Sequence, residues 1–155
     1  MGKKYESWSP LLLRLIVGFG FMAHGWAKIS RGTAGFEKLL IQTGVPMHHL
    51  LSYVAPYTEL IGGLAILIGL ATRFVTVPLV VTMLTAMFTI HIHYGFSAVK
   101  TIGLTPAGPL FGPPGYEINL IYIAALLSLM ITGGGTFSAD TLLKNNDKKE
   151  VKKKF

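Results

Sequence analysis

The sequence predicts an all-α fold: an integral membrane four-helix bundle with both termini in the cytoplasm. Three observations carry that expectation. First, 51% of the 155 residues are hydrophobic and only 14% are charged, and the mean hydropathy is +0.53. A soluble domain of this size needs more polar surface. Second, the apolar residues gather into four runs close to the roughly 20 residues that a helix needs to cross a hydrocarbon core. Third, the lysines and arginines fall mostly on one side if the runs cross in alternation, and the excess of basic charge marks the cytoplasm.

The first run covers about residues 10–29. Pro10 opens it, in a first turn where a missing N–H costs nothing. Lys3 and Lys4 ahead of it resemble the start of a signal peptide. The run is too long for one, contains Arg14 and lacks a clear small-x-small cleavage site, so it reads as a retained span. The segment GFEKLLIQTGVP has the pattern of a short interfacial helix, and the second span follows at about 50–70. LATRF makes a tight cytoplasmic turn into the third span, about 74–94. The stretch TPAGPLFGPPG is rich in Pro and Gly, which predicts little regular structure, and a connection of that length is usually functional or disordered. Pro114 suits the first turn of the fourth span, about 116–132, and Gly133, Gly134 and Gly135 end it. Residues 1–143 thus form one four-span domain, and 144–155 a basic cytoplasmic tail.

The net charge of +7 does not point to nucleic acid. Lys144, Lys148, Lys149, Lys152, Lys153 and Lys154 crowd into that tail without interleaved aromatics. A basic tail beside a span is a topology signal that touches anionic headgroups. The chain has no cysteine, which removes disulfides, thiolate metal sites and dithiol redox chemistry. Any chemistry falls to His, Glu, Asp and Tyr.

Helical spacing gathers the polar residues onto faces. Arg14, Gly18, Phe21, Gly25 and Lys28 share one face of the first span, with His24 beside it. Ala55, Pro56, Glu59, Gly62, Gly63 and Ile66 share a face of the second. Thr82, Thr85, Thr89 and His93 line one side of the third, with His91 nearly opposite, so His93 is the better interior candidate. Glu117, Ile121, Ala124 and Ser128 form the stripe of the fourth. Small residues on such faces let helices approach closely. At 1.5 Å of rise per residue, His24, Lys28, His93 and Glu117 fall near the outer boundary, and Glu59 lies roughly 10–15 Å beneath it. Arg14 is deeper still. The expected picture is a polar funnel that narrows toward Glu59, with Arg14 reaching toward that carboxylate.

Each residue also has a plainer reading. Arg14 can snorkel to the cytoplasmic headgroups. Lys28 and the histidines can be helix C-terminal cations, and Glu117 a first-turn carboxylate, all favoured by the helix dipole. The threonine stripe is commonly interhelical glue. His48 and His49 read as solvated loop residues. Glu59 has no such explanation. A carboxylate at that depth costs about 2–3 kcal/mol or more, so it is the leading functional candidate.

The strings LLLRLIVGFGFMAHGWAKI, GVP, PYTELIGGLAILIGLATR and GYEINLIY…GGGTFSAD together resemble the DoxX family of small membrane proteins, in the family's order from Leu11 to Asp140. The resemblance implies a four-helix protein of the bacterial cytoplasmic (inner) membrane. It also implies a link to redox systems, since the family includes a DoxD-type subunit of a thiosulfate:quinone oxidoreductase. The family pattern carries over to Arg14, His24, Gly25, Lys28, Glu59, Gly62, Gly63, Arg73 and Glu117. The outer loop from Leu104 to Gly115 is longer than that pattern.

The expected function is therefore a redox-associated membrane subunit that binds a quinone-like molecule at Arg14, His24, Lys28, Glu59, His93 and Glu117. Glu59 would handle protons, and His24 and His93 would bond the ring oxygens. No group is bound covalently and no metal site is expected. Electrons must come from a partner, since no residue here stores them. The rival expectation is a non-catalytic anchor or assembly partner of an oxidoreductase complex, with a homo-oligomer as a further state. A haem held by His24 and His93, or passage of a small anion, ranks below both.

Overall fold

The structure, a computed structural model, describes residues 8–145. Lys3, Lys4 and the tail beyond Asn145 lie outside the described residues. Helix α1 (Ser9–Ser30) leads through Gly32 to the short α2 (Thr33–Gln42). The long α3 (His48–Ile68) and α4 (Thr72–Thr89) follow. A 3-10 turn (His91–Tyr94), strands β1 (Thr101–Thr105) and β2 (Gly108–Phe111), and α5 (Glu117–Thr132) complete the order. Residues 139–145 are again helical.

Helices α1, α3 and α4 are long and apolar enough to cross a membrane. Helix α5 is apolar but has 16 residues. It lies antiparallel beside α4 over that helix's full length. At one end Arg73 Nη2 donates to the Ile131 carbonyl at 3.1 Å, and at the other His91 Nδ1 lies 2.9 Å from the Pro114 carbonyl. The outer surface of the long helices is largely apolar: Ile16, Phe19, Ile61, Phe74 and Ile131 are all at least 64% exposed. That arrangement suits lipid rather than water as the solvent.

Inside the bundle, Val17 and Phe21 of α1 meet Ile66 of α3, Leu79 of α4, and Leu126 and Leu129 of α5. Phe21 and Tyr122 pack edge to face at 5.3 Å. Helices α1 and α3 touch backbone to backbone. A Cβ on Gly25 would sit 2.6 Å from Pro56 O and Leu60 N, and one on Gly63 would sit 2.7 Å from Gly18 O and Met22 N. Interhelical contact this close needs glycine, the usual device where no hydrophobic effect drives helices together in lipid. Pro56 sits inside α3 without ending it.

Three expectations are corrected. The fold is mostly helical, but the Pro/Gly-rich connection, expected to have little regular structure, forms a two-stranded antiparallel hairpin, so the fold is not purely α. Thr105 Oγ1 closes its turn onto Gly108 O at 2.9 Å, and Gly108 takes φ +121°, a conformation other residues rarely hold. The third helix stops at Thr89 rather than near 94. Ile90 leaves helical geometry (φ −122°, ψ −62°) and a 3-10 turn follows. Pro114 lies outside α5, whose cap is Tyr116.

Candidate functional site

The buried face of α3 carries Ser52, Pro56, Glu59, Gly63 and Ile66 at three- and four-residue steps. The buried face of α1 carries Arg14, Gly18, Phe21 and Gly25 in the same rhythm. Because Gly25 lets the helices meet at Pro56 and Leu60, Lys28, one turn further along α1, reaches Glu59 directly. Lys28 Nζ lies 2.5 and 2.6 Å from the two carboxylate oxygens. Glu59 is 1% exposed and Lys28 27%. The ammonium also stands 4.8 Å over the Phe36 ring of α2, a cation–π contact that closes α2 over the pair.

This pair borders a cavity of about 760 Å³. Phe36, Leu39 and Leu40 of α2 form one wall, and Met83, Ala86 and Ile118 of α4 and α5 form another. The lining is mostly apolar. Its polar groups are Lys28, Glu59, His24, His91, Asn119, Tyr122 and several threonines. Thr82, Thr85 and Thr89 each donate to the carbonyl four residues back, at 2.9, 2.9 and 2.8 Å, so their hydroxyls are satisfied within α4. Asn119 is 4% exposed and points its amide at the Met83 carbonyl, 3.4 Å away.

Of the residues singled out from sequence, His24, Lys28 and Glu59 meet at this cavity, and Arg14, His93 and Glu117 do not. Arg14 does not reach Glu59; four turns of α1 separate it from Lys28, about 21 Å at 1.5 Å per residue. Nor does it snorkel, being 2% exposed. Its Nε and Nη2 donate to Ile66 O and Leu67 O at 3.0 and 2.8 Å, and its Nη1 donates to Gly134 O and Phe137 O at 2.7 and 3.0 Å. Ile66 O also accepts from the cap residue Gly69 N at 3.1 Å, and a cation at this end of α3 meets the negative end of the helix dipole as well as carbonyls that the helix itself leaves open. A planar fork of five donors satisfies several such carbonyls at once.

His93 is exposed outside the cavity, while His91 lines it. The reversal follows from the helix break at Ile90: a 3-10 turn advances 120° per residue rather than 100°, so a face extrapolated from α4 is wrong beyond it. His24 and His93 therefore do not face one another across the cavity as axial ligands would. Glu117 Oε2 accepts from Ala98 N at 2.8 Å and fastens the outer loop to the start of α5. His48 and His49 are solvated as expected, with His49 75% exposed, but they open helix α3 rather than lie in a loop. Their Nδ1 atoms lie 3.4 and 3.2 Å from Glu37 Oε1, linking α3 to α2.

Sequence reasoning missed His91, Asn119 and Tyr122 as lining residues. It also missed Asp140, whose carboxylate accepts from Ala71 N and Thr72 N at 2.7 and 3.1 Å and so caps α4 from a distant part of the chain. The only available signal for Asp140 was its place at the end of GGGTFSAD, a polar block with no local use.

The DoxX family model matches residues 9–92, which include α1 to α4 and both members of the Lys28–Glu59 pair. This chain belongs to the DoxX family. A protein of Bacillus subtilis strain 168, CatD, provisionally named an oxidoreductase, is 36% identical over 96 residues, 62% of this chain and 69% of that one. The inner membrane protein YqjF of Escherichia coli K12 is 31% identical over 144 residues, covering 91% and 96%. A membrane protein of Mycobacterium tuberculosis is 27% identical over 146 residues, covering 87% and 81%. No solved structure matches. With its three span-length apolar helices, this DoxX protein is a multi-pass protein of the bacterial inner membrane.

Proposed function

We propose that this DoxX protein binds a quinone-like molecule in the cavity beside Lys28 and Glu59 and serves as a membrane subunit of a redox system. The observation that carries the reading is the pairing of an apolar cavity of about 760 Å³ with a charged pair at its wall. Small-molecule sites run to roughly 300–1,000 Å³, mostly apolar, with a few placed polar groups. The ammonium and carboxylate balance one another, so the cavity favours a neutral, flat, apolar ligand over a free anion. A quinone head has that shape, with two carbonyl oxygens that accept hydrogen bonds from Lys28 and His24. Reduction to the quinol takes two electrons and two protons. The electrons come from a partner oxidoreductase, and Glu59 with Lys28 relays protons to the ring oxygens. The name of the Bacillus subtilis relative supports a redox role.

The same reading takes α5 as a fourth crossing, since it runs the length of the span-forming α4, with both termini in the cytoplasm and the cavity near the periplasmic face. The competing reading is a non-catalytic anchor, favoured by one observation: the Lys28–Glu59 pair ties α1 to α3 and so has a structural use by itself. Calorimetric titration of the purified protein in nanodiscs with a short-chain quinone separates the two. Saturable binding that weakens at least tenfold in Glu59→Gln, with folding intact, supports the quinone site. No saturable binding by the wild-type protein, or equal affinity in the variant, contradicts it.

A further inference from the structure

The β1–β2 hairpin exposes more apolar surface than a water-facing loop has reason to. Leu104 is 83% exposed, Phe111 58%, Ile102 56% and Leu110 51%. Leu104 pairs with Pro109 across the strands and shares that face of the hairpin with Phe111. From Gly95 to Tyr116 there is no acidic residue, and Lys100 is the only charged one.

The hairpin is held firmly. Gly112 N donates to Lys100 O at 2.8 Å, Gly115 N to Ser97 O at 2.9 Å, Tyr116 N to Gly95 O at 3.0 Å and Glu117 N to Phe96 O at 2.9 Å. The stem is therefore laced to the start of α5. It leaves the bundle where the span-forming α4 ends, beside Tyr94, Phe96 and Tyr116. Phe96 and Tyr116 stack edge to face at 5.5 Å. Aromatic residues at a span's end mark the membrane–water interface. The exposed apolar surface also runs on from the span toward the hairpin, through Phe88 at 59% and Ile92 at 44%.

From these observations we infer that the hairpin lies in the headgroup–acyl boundary of the leaflet at the cavity end of the bundle, as a fixed interfacial paddle whose partner is the lipid surface. Two strands of about five residues extend roughly 17 Å at 3.3–3.4 Å per residue, enough to lie along that boundary. The boundary is also the depth that tolerates the hairpin's unpaired edge groups, which headgroups and water can bond and hydrocarbon cannot. This placement depends on α4 crossing the membrane, and not on what the cavity binds.

The absence of cysteine makes the test clean. A spin label is placed by Leu104→Cys, and separately by Phe111→Cys, in protein reconstituted into phosphatidylethanolamine–phosphatidylglycerol vesicles. Ile61→Cys, at a 64% exposed position within α3, serves as the lipid reference, and His49→Cys, 75% exposed at the same end of the bundle, as the water reference. The expected result is collision with oxygen well above collision with a water-soluble nickel chelate at both hairpin positions, as at Ile61. Nickel accessibility equal to that at His49 would place the hairpin in water and overturn the inference. Protection from both reagents, with dipolar broadening between labels, would assign the face to a second copy of the chain and overturn it equally.

Discussion

Removing either member of the Lys28–Glu59 pair strands the other, and the two cases differ. Glu59 is 1% exposed, whereas Lys28 keeps 27% of its side chain exposed and borders the cavity. Lys28→Met leaves an almost wholly buried carboxylate without its partner, which costs about 3–5 kcal/mol. Glu59→Gln leaves an ammonium that can turn toward the cavity, so its cost is nearer 1–3 kcal/mol, the range for one lost charge-assisted hydrogen bond. Unfolding of both variants in the same detergent should rank Lys28→Met as clearly the weaker; equal midpoints would mean that the carboxylate is not as enclosed as described. Arg14→Lys replaces a fork that reaches four carbonyls with a single ammonium. It should lower stability by about 2 kcal/mol or more while leaving quinone affinity unchanged, because Arg14 does not line the cavity and the nearest lining residue of α1, His24, is ten residues further along, about 15 Å at 1.5 Å per residue. Loss of binding in a well-folded Arg14→Lys protein would contradict that separation. Sequence depth alone singled out Glu59, since no helix end excuses it. It paired Glu59 with Arg14, whereas the partner is Lys28. Both lie on the same helical face, and only the height at which α1 and α3 cross decides between them.

At the scale of the elements, the α1–α3 contact rests on glycines with no room for a side chain. Gly25→Ala drives a methyl group to within 2.6 Å of Pro56 O and Leu60 N. Such overpacking costs about 1–3 kcal/mol, and it should also loosen the Lys28–Glu59 pair one turn away. Gly35 of α2 has nothing within 4 Å of a built Cβ, so Gly35→Ala should be neutral or stabilise by up to about 1 kcal/mol through helix propensity. Thermal melts of the two alanine variants in detergent check the contrast, and a Gly25→Ala protein as stable as wild type would show that the helices sit further apart. The small-residue stripes were readable from sequence because a 3.6-residue period survives in any helix. The end of α4 at Thr89 was not readable, because the residues from Ile90 to Tyr94 remain apolar and aromatic enough to continue a span. The hairpin was hidden in the same way: Pro and Gly announce turns, but the strand pairing is fixed by the distant anchor from Ala98 to Glu117.

For the whole molecule, hydropathy sufficed to read a multi-pass membrane protein, since lipid demands apolar residues on the outer surface as well as in the core. The proposed sidedness rests on the basic residues alone, and the uniqueness of an introduced cysteine allows a direct check. His49→Cys should react with an impermeant maleimide in intact cells, and Lys144→Cys only after the inner membrane is opened. The reverse pattern would invert the bundle, and reaction of both in intact cells would remove one crossing. What the cavity holds was less legible, because its lining is assembled from five helices that sequence periodicity treats one at a time. Photolabelling of the reconstituted protein with an azido-quinone, followed by peptide mapping, addresses that most directly. The account predicts labels on cavity residues such as Phe36, Leu40, Met83 and Ile118, suppressed by excess unlabelled quinone and lost in Glu59→Gln. Labels spread over the lipid-facing surface, or unaffected by competitor, would contradict it.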